Sequence, residues 1–472
     1  MEEGTGGVHV LVIPYPAQGH TLPMLDLAHR LALAGISLTI LTTPANLPTL
    51  TPLLNSHPSS LLRTLVLPFP PHPSIPPGVE NVRHLGNRGN APVISALSSL
   101  RLPILNWFHT HPDPPLAIIS DFFLGWTFHV AADLGIPRIA FFSSGAFLGS
   151  VSDYCWGNLD SVLASEAVEF TDLPNKPVFK EQHLPSIVRF FQRRDTDWEI
   201  FRDGLRMNML SWGCVFNSFF ALEGDYLDHL KRRMGCGRVY AVGPLSLVGV
   251  EDASARGSLT GGSNHDDLLG WLDGCTDGSV LYVCFGSQKV LTAEQLEALA
   301  GGLERSGVRF VWVVKIGPDL EETSRILDSL EARVGDRGRV VRGWAPQVLV
   351  LNHRSVGGFL SHCGWNSAME AVVAGKMILA WPMEADQYVN ARLLVDDMGV
   401  AIRVCEGADA VPDPDELGKA IAGSMKDGGP EKVRAGELRE KALAAVEPES
   451  GSSARDLDRL VEDLGQLPKR NP

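Results

Sequence analysis

The residues best suited to chemistry lie in one stretch, positions 344–387, which reads WAPQVLVLNHRSVGGFLSHCGWNSAMEAVVAGKMILAWPMEADQ. In its middle, a short apolar run is followed by the turn 361–367, which opens a segment with helical spacing. A helix N-terminus carries about half a positive charge and outward N–H groups, so it favours an anion such as phosphate. His362, Asn366 and Ser367 add side-chain donors at the same turn.

A simple helix cap is the alternative interpretation of this turn. Gly364 supplies the conformational freedom that a tight turn needs. Ser367 alone fits an ordinary cap equally well, because Ser is among the best capping residues. A cap does not explain why His362 and Trp365 also lie on the turn. We therefore favour a phosphate site.

The two ends of the stretch suit the rest of a sugar nucleotide. Trp344 is a flat aromatic residue close to Gln347, a pair that suits a base and a ribose. Asp386 and Gln387 follow a predicted strand, and ligands of open α/β sheets bind outside the carboxyl ends of the strands. The same pair also fits a helix N-cap followed by a helix former.

A candidate general base lies near the amino terminus. His20 ends the segment PYPAQGH that directly follows the first predicted strand. Histidine changes charge near neutral pH, which suits a group that removes a proton from an attacking hydroxyl. Asp121 directly follows another predicted strand and is the natural partner to orient the imidazole ring. For a histidine taken at random a surface role is the commoner one, and Asp121 also fits a helix N-cap.

Composition excludes several classes of protein. The chain has 472 residues, enough for two domains, and its 44% hydrophobic and 20% charged content is typical of a soluble globular protein. A net charge of -14 argues against nucleic-acid binding, which needs a basic patch. The seven cysteines form no C-x-x-C pair, so we expect reduced thiols in the cytosol. No signal peptide and no apolar run of about 20 residues is present, so we expect a cytoplasmic protein without a membrane anchor. A monomer is our separate expectation for the oligomeric state.

Short apolar strands alternate with helical segments, which is typical of α/β proteins with parallel sheets. The predicted strands are 9–13, 37–42, 117–120, 138–142, 214–217, 279–285, 309–314, 339–341, 356–360 and 377–381. Between the two halves, residues 244–267 are rich in Gly, Ser and Asp and are predicted to be a linker. We therefore expect two Rossmann-like domains that face each other across a cleft.

These motifs closely resemble the signature of plant secondary-product glycosyltransferases, which transfer a sugar from a UDP-sugar to a small aglycone. Trp-Ala-Pro-Gln, His-Cys-Gly-Trp-Asn-Ser, a Glu three residues later, Trp-Pro and Asp-Gln are all in register, and Pro-Ala-Gln-Gly-His and Phe-Gly-Ser match elsewhere. One departure is Gly-Lys-Met at 375–377, where the family usually has Gly-Val-Pro. The resemblance implies the GT-B fold.

The resemblance also implies a division of the chain. Residues 1–243 would form the acceptor-binding domain, and residues 268–450 the UDP-sugar-binding domain, both Rossmann-like with parallel sheets. The last part, 451–472, would be a helix that returns to the amino-terminal domain.

Each matched residue then has an implied role. Trp344 would stack on uracil, with the Ala345 backbone and Gln347 holding the base and ribose. Glu370 would accept hydrogen bonds from the ribose. The implied donor-binding set is Ser143, Ser287, Trp344, Ala345, Gln347, His362, Trp365, Asn366, Ser367, Glu370, Asp386 and Gln387. His20 and Asp121 match the catalytic dyad, and Tyr15 and Phe123 match acceptor-side positions.

The implied reaction is a single in-line displacement that converts UDP-glucose and a phenolic hydroxyl, such as that of a flavonoid or hydroxybenzoate, into a β-O-glucoside. No metal and no cofactor is expected. Within the family Gln at position 387 goes with glucose, while His there often goes with other sugars. Rhamnose or xylose as the sugar, and transfer to N, S or C, stay open.

Three other functions need to be weighed for an α/β protein with these motifs. A nicotinamide oxidoreductase would need Gly-x-Gly-x-x-Gly after the first strand, which is lacking. A nucleotide-sugar epimerase of the same fold would bind the donor without an acceptor, and a sugar-nucleotide sensor would need no dyad. The pairing of His20 with Asp121 favours transfer.

Overall fold

A computed structural model describes residues 7–247, 265–317, 319–426 and 428–468 of the chain. The chain divides into two compact units. Unit 1 consists of Met1–Glu251 and Ala444–Pro472, and unit 2 of Asp252–Leu443. The predicted linker falls mostly on residues 248–264, outside the described residues.

Unit 1 is built on a parallel sheet in which seven of its described strands follow the order β3-β2-β1-β4-β5-β8-β9. Its strands are β1 (His9–Ile13), β2 (Ser37–Thr42), β3 (Leu62–Val66), β4 (Ala117–Asp121), β5 (Arg138–Phe142), β6 (Ala167–Glu169), β7 (Val178–Lys180), β8 (Gly213–Phe216) and β9 (Val239–Ala241). Strands β6 and β7 form a separate antiparallel pair.

Helices cover this sheet. They are α1 (Gln18–Leu33), α2 (Thr51–Ser56), α3 (Asn90–Ser98), α4 (Arg101–Thr110), α5 (Thr127–Leu134), α6 (Ala146–Gly157), α7 (Leu159–Leu163), α8 (Ser186–Arg189), α9 (Thr196–Met207) and α10 (Phe220–Met234). Strands β1, β4, β5 and β8 are buried along their whole length, as expected for parallel strands covered on both faces.

Unit 2 contains a second parallel sheet, whose six described strands follow the order β12-β11-β10-β13-β14-β15. The strands are β10 (Val280–Cys284), β11 (Arg309–Val314), β12 (Gly338–Arg342), β13 (Val356–Ser361), β14 (Met377–Ala380) and β15 (Ala401–Arg403). The helices are α11 (His265–Asp273), α12 (Ala293–Ser306), α13 (Leu320–Val334), α14 (Gln347–Asn352), α15 (Trp365–Val373), α16 (Gln387–Arg392), α17 (Pro414–Ser424) and α18 (Pro430–Ala445). Within the described parts of the chain, no helix is both long enough and apolar enough to cross a membrane.

The prediction of two parallel-sheet α/β domains is confirmed. All ten predicted strands are present, and each of their ends lies within one residue of the predicted position. The antiparallel pair β6 and β7 and the three sheet strands β3, β9 and β15 were not predicted. The three sheet strands lie at the sheet edges, and β3 mixes Arg and Thr with its apolar residues.

In each sheet the strand order reverses direction once, between β1 and β4 in unit 1 and between β10 and β13 in unit 2. Ile13 at the end of β1 pairs with Ser120, and Cys284 at the end of β10 pairs with Ser361. Loops that leave neighbouring strands at such a switch point diverge and open a crevice for ligands. The sheet topology therefore specifies where a site forms in each unit.

The last helix, α19 (Ser452–Gly465), packs on unit 1. Its residues Leu457, Leu460 and Leu464 belong to the hydrophobic core beneath the sheet. Its polar side chains bind the outer edge of β9, where Asp456 accepts from the Ala241 N–H at 2.8 Å and Arg459 donates to the Val239 carbonyl at 2.8 Å. Both ends of the sequence thus contribute to one core.

Two glycines allow the turn after β4 to approach α9 closely. A Cβ atom on Gly125 would lie 1.8 Å from the carbonyl oxygen of Gly204, which belongs to rigid helix backbone. We predict that Gly125→Ala lowers the free energy of unfolding by about 1–3 kcal/mol, because two backbone segments must separate. Gly157→Ala, at the end of α6 with open space around its Cβ position, is the control and should change stability by less than about 1 kcal/mol. Urea denaturation of both variants measures this, and equal stabilities would contradict it.

Candidate active site

In unit 1 the structure brings His20 and Asp121 together. His20 lies in the first turn of α1, and Asp121 is the last residue of β4. The His20 Nδ1 atom is 2.9 Å from Asp121 Oδ2, and Asp121 Oδ1 accepts from the Phe123 N–H at 2.9 Å. The His20 side chain is 20% exposed, whereas that of Asp121 is fully buried.

This pairing defines the tautomer of the imidazole ring. An ionised carboxylate only accepts hydrogen bonds, so His20 donates from Nδ1. Its Nε2 then carries a lone pair, which is the form required of a general base. Asp121 also caps the short 3₁₀ turn Phe122–Leu124, so its carboxylate makes both the predicted cap and the predicted contact with His20.

Aromatic rings hold the imidazole in place. The ring centroids of Tyr15, Phe122 and Phe123 lie 5.2, 5.5 and 4.7 Å from that of His20. Tyr15 is fully buried, and its hydroxyl donates to Asn90 Oδ1 at 2.6 Å. Phe123 is 7% exposed and continues into a row of rings through Phe201.

Ser143 follows β5 and is 5% exposed. The next helix, α6, begins with an N-terminus that is already occupied by a carboxylate of the chain. Glu223 accepts from the Ala146 and Phe147 N–H groups at 2.9 and 2.8 Å, and burial raises the pKa of this carboxyl. The α6 terminus is thus a rigid support for the Ser143 loop rather than an anion site.

In unit 2, His362 directly follows β13 and its ring fits between two glycines. A Cβ atom on Gly286 would lie 2.7 Å from His362 Nε2, and one on Gly364 would lie 2.6 Å from it. The Nδ1 atom of His362 is buried, and no described residue hydrogen-bonds to it. Burial lowers the pKa of His362 to about 4, so the ring is neutral at pH 7.

The turn after β13 differs in one respect from its prediction. Cys363, not Gly364, has the positive φ of 63°, while Gly364 has φ of -60°. The Ser361 hydroxyl accepts from the Cys363 N–H at 3.1 Å, and Asn390 Nδ2 donates to the Cys363 carbonyl at 2.9 Å. These bonds hold Cys363 in a conformation that costs about 1–3 kcal/mol in a non-glycine residue. Gly364 is needed instead for the space that the His362 ring occupies.

Helix α15 begins immediately after this turn, without a side-chain cap at Gly364. Its first regular hydrogen bond joins the Ala368 N–H to the Gly364 carbonyl. By helix geometry the preceding N–H groups, including those of Trp365 and Asn366, point out of the helix end. Trp365 itself is 5% exposed. Ser287 is exposed on the turn that follows the neighbouring strand β10.

A side-chain network connects the next three predicted residues. Gln347 Nε2 donates to Glu370 Oε2 at 2.7 Å and to Ser367 Oγ at 3.0 Å. Gln347 Oε1 accepts from the Tyr282 hydroxyl at 3.3 Å. Ser367 is therefore a partner of Gln347 and not a helix cap. Trp344 is half-buried on the same loop, after β12, and Ala345 is buried beside it.

Asp386 ends the loop after β14 and Gln387 begins α16, and both are half-buried. Gln387 Oε1 accepts from the Met383 and Glu384 N–H groups, each at 2.9 Å, which orients its amide. The Gln387 NH₂ group is then the part directed away from these backbone donors. Asp386 makes no cap hydrogen bond and instead accepts from Asn390 Nδ2 at 2.8 Å.

Known proteins resemble this chain over nearly its whole length. Residues 269–410 match the model of the UDP-glucoronosyl and UDP-glucosyl transferase family. UDP-glycosyltransferase 89A2 of Arabidopsis thaliana is 54% identical over 97% of this chain and 96% of its own. Flavonol 3-O-glucosyltransferase UGT89B1 of the same plant is 49% identical over 97% of this chain and 96% of its own. The crystal structure of Arabidopsis thaliana UGT89C1 complexed with UDP-L-rhamnose matches with a TM-score of 0.79 and 37% identity. The match covers 97% of this chain and 98% of that one.

The chain belongs to the plant UDP-glycosyltransferase family. It is thus a UDP-glycosyltransferase with the GT-B fold, as the resemblance of its motifs indicated.

Four residues of this glycosyltransferase support the site but were not predicted from the sequence. Asn90 and Asn390 fix Tyr15 and the Cys363 turn across long sequence separations, so no local pattern marks them. Gly286 was within the Phe-Gly-Ser motif, but only the structure shows the ring that fills its space. Arg138 opens an otherwise apolar strand, and that unusual charge was a detectable signal.

The lowered pKa of His362 leads to a prediction about stability and pH. Below pH 6.5 the unfolded chain takes up a proton at this histidine, while the folded glycosyltransferase does not until pH falls to about 4. The contribution of His362 to the free energy of unfolding is therefore fully present above pH 6.5 and is lost as pH falls towards 4. We predict that His362→Gln flattens this part of the stability profile. Denaturant unfolding of both proteins between pH 7.5 and 4.5 measures the difference, and parallel profiles would contradict it.

Proposed function

We propose that this glycosyltransferase transfers glucose from UDP-glucose to a phenolic hydroxyl of a small aromatic acceptor, with inversion, to give a β-O-glucoside. The observation that carries the proposal is the His20–Asp121 pair, in which a buried carboxylate directs a bare imidazole nitrogen outward. Sugar-nucleotide binding alone needs no such base. Transfer to a hydroxyl does.

The proposed step is one displacement. The acceptor oxygen bonds to the anomeric carbon as its proton passes to His20 Nε2, and the bond from that carbon to the UDP oxygen breaks. UDP leaves with the electron pair of that bond. Asp121 stabilises the imidazolium without taking its proton. Because attack comes from the side opposite UDP, an α-linked donor gives a β-linked product.

The donor half of the reaction is assigned to unit 2. The N-terminus of α15 suits the two phosphates, because its backbone N–H groups and helix dipole favour negative charge. His362 is neutral there, so it serves as a hydrogen-bond donor and not as a cation. Trp344 is assigned to the uracil, and Glu370 to the ribose. The bonds that Gln347 makes within the chain support a role in holding Glu370 and Ser367 in position.

Glucose is proposed on the orientation of Gln387. Its carbonyl is held by two backbone N–H groups, so its NH₂ group is the one offered to a sugar hydroxyl. Trp365 and Asp386 complete the proposed sugar site. UGT89B1 is named as a flavonol 3-O-glucosyltransferase, which agrees with glucose. The less similar UGT89C1 was crystallised with UDP-L-rhamnose, so rhamnose is the second candidate.

An aromatic acceptor is proposed on the rings that extend from the base. The ring of Phe123 contacts that of His20. The centroid of the Phe201 ring lies 5.0 Å from that of Phe123, and the centroid of the Trp198 ring lies 5.8 Å from that of Phe201. Pockets with aromatic walls and few polar groups suit flat apolar ligands. The flavonol in the name of UGT89B1 points to the same class, so flavonoids and hydroxybenzoates are the acceptors to test first.

The proposal includes no metal and no organic cofactor, a monomer as the active form, and a cytosolic location. All seven cysteines of the chain are free thiols, which is consistent with a reducing compartment.

A matrix of donors and acceptors tests the function. Purified protein is incubated with UDP-glucose, UDP-rhamnose or UDP-xylose, each with a panel of phenols and without acceptor. We expect UDP release only when acceptor is present, fastest with UDP-glucose. A changed sugar nucleotide without acceptor would mean an epimerase, and binding without turnover on any acceptor would mean a sensor.

The base is tested by His20→Ala. We predict that kcat/KM for phenols falls by about 10²–10⁴-fold, because no other group takes the proton, while the Kd of UDP stays unchanged. Turnover assays and calorimetric UDP titration measure the two effects. His109→Ala, at an exposed position on α4, is the control and should keep full activity. Normal turnover by His20→Ala would remove His20 from this role.

The sugar choice is tested at Gln387. We predict that Gln387→His lowers kcat/KM with UDP-glucose by about 3–10-fold relative to other donors, because a hydrogen bond of about 1 kcal/mol to the sugar is lost. Gln387→Glu is the matched variant. It keeps an acceptor for the two loop N–H groups but removes the NH₂ donor, so it should show the same loss with an intact loop. Unchanged donor preference in both variants would show that the sugar is recognised elsewhere.

A further inference from the structure

The strand that neighbours Asp121 begins with a buried cation. Arg138 is the first residue of β5 and is 2% exposed. Its guanidinium donates to neutral oxygens: those of Ser120 and Thr127 at 3.0 and 3.1 Å, and those of Asn208 and Ser211 at 2.8 Å each. No carboxylate oxygen of the described residues forms an ion pair with it. Such a charge is expensive to bury unless an anion nearby compensates it.

Asp121, the partner of His20, lies next to this guanidinium. Arg138 donates to the backbone carbonyl of Asp121 at 3.3 Å, and the side chain of Asp121 is fully buried. Burial lowers the pKa of Arg138 to about 10, and the negative charges that Cys214 and Asp121 carry when ionised oppose this shift. Burial raises the pKa of Cys214 to about 12, so at neutral pH only Asp121 can supply such a charge. The guanidinium therefore keeps its charge at neutral pH.

The same network fixes the turn that carries Asp121. Asn208, which Arg138 binds, also donates to the Phe122 carbonyl at 3.0 Å. Thr127, a second partner of Arg138, donates to the Leu124 carbonyl at 2.7 Å. The guanidinium thus holds three carbonyls of this turn. It binds that of Asp121 directly, that of Phe122 through Asn208 and that of Leu124 through Thr127. The position of the carboxylate next to His20 depends on these bonds.

We propose that Arg138 is a positioning residue for the reaction, whose charge keeps Asp121 ionised and keeps His20 unprotonated at Nε2. This inference rests on the proposed function. Without the guanidinium, a buried carboxylate would hold a proton more tightly, and so would the imidazole beside it. The active pair, an ionised Asp121 and a neutral His20, would then form only at higher pH. The other titratable groups that face this cluster are Tyr15, from the loop after β1, and Cys214, on β8.

The test compares Arg138→Gln, which removes the charge, with Arg138→Lys, which keeps it. The acid limb of kcat/KM is measured from pH 5 to 9 with UDP-glucose and a simple phenol, whose hydroxyl stays largely protonated over this range. We expect the acid limb of Arg138→Gln to move up by about one pH unit, and that of Arg138→Lys to stay near the wild type. A lower rate with an unmoved limb in Arg138→Gln would mean a purely structural role and overturn the inference.

A second pair of variants covers the case in which Arg138 variants do not fold. Asn208→Asp places a carboxylate 2.8 Å from the guanidinium and compensates its charge without removing it. Asn208→Leu breaks the same hydrogen bonds without adding charge. We expect an upward shift of the acid limb in Asn208→Asp, and only lower thermal stability in Asn208→Leu. Equal limbs in these two variants would overturn the inference. Inactive wild-type protein on the whole acceptor panel would instead overturn the proposed function.

Discussion

The carboxyl ends of two neighbouring parallel strands are the constraint on which the rest of this structure depends. In both sheets the strand order reverses once, and the loops that leave the two strands at that point must diverge. One such pair of strands is β1 and β4: His20 comes shortly after β1, and Asp121 is the last residue of β4. Ser287 and His362 follow the other, β10 and β13. Residues far apart in sequence are therefore brought to one sheet edge by topology alone, before any specific contact forms.

The loops at these edges carry groups that would be unstable without internal partners. Glu223 satisfies the start of α6, the Gln387 carbonyl satisfies two N–H groups of its own loop, and Asn390 holds Cys363 in a left-handed conformation. In each case a polar side-chain atom supports the backbone of a loop or turn. Such buried hydrogen bonds give a site its rigidity, since an unsatisfied polar group inside the protein costs about 1–3 kcal/mol.

Local patterns in the sequence predicted the architecture well, because buried parallel strands are continuous apolar runs bounded by turns. The strands at 9–13, 138–142 and 309–314 were predicted to the residue. Edge strands such as β3 were missed, since exposure to solvent lets them carry polar residues. The turn after β13 was assigned to glycine flexibility, but the strained residue is Cys363, which hydrogen bonds to Ser361 and Asn390 hold in place. Partners such as Asn90 and Asn390 act across the fold, so no short pattern identifies their roles.

The outer edge of β9 has a consequence for how the protein is made. The Ala241 N–H and the Val239 carbonyl on this edge are hydrogen-bonded by Asp456 and Arg459 of α19, more than two hundred residues further along the chain. During synthesis that edge stays open until the final helix has left the ribosome. An open strand edge is a template for pairing with other chains, so the nascent protein is most prone to aggregate in this interval. A chain truncated before α19 would keep the edge of β9 open to pairing with other chains.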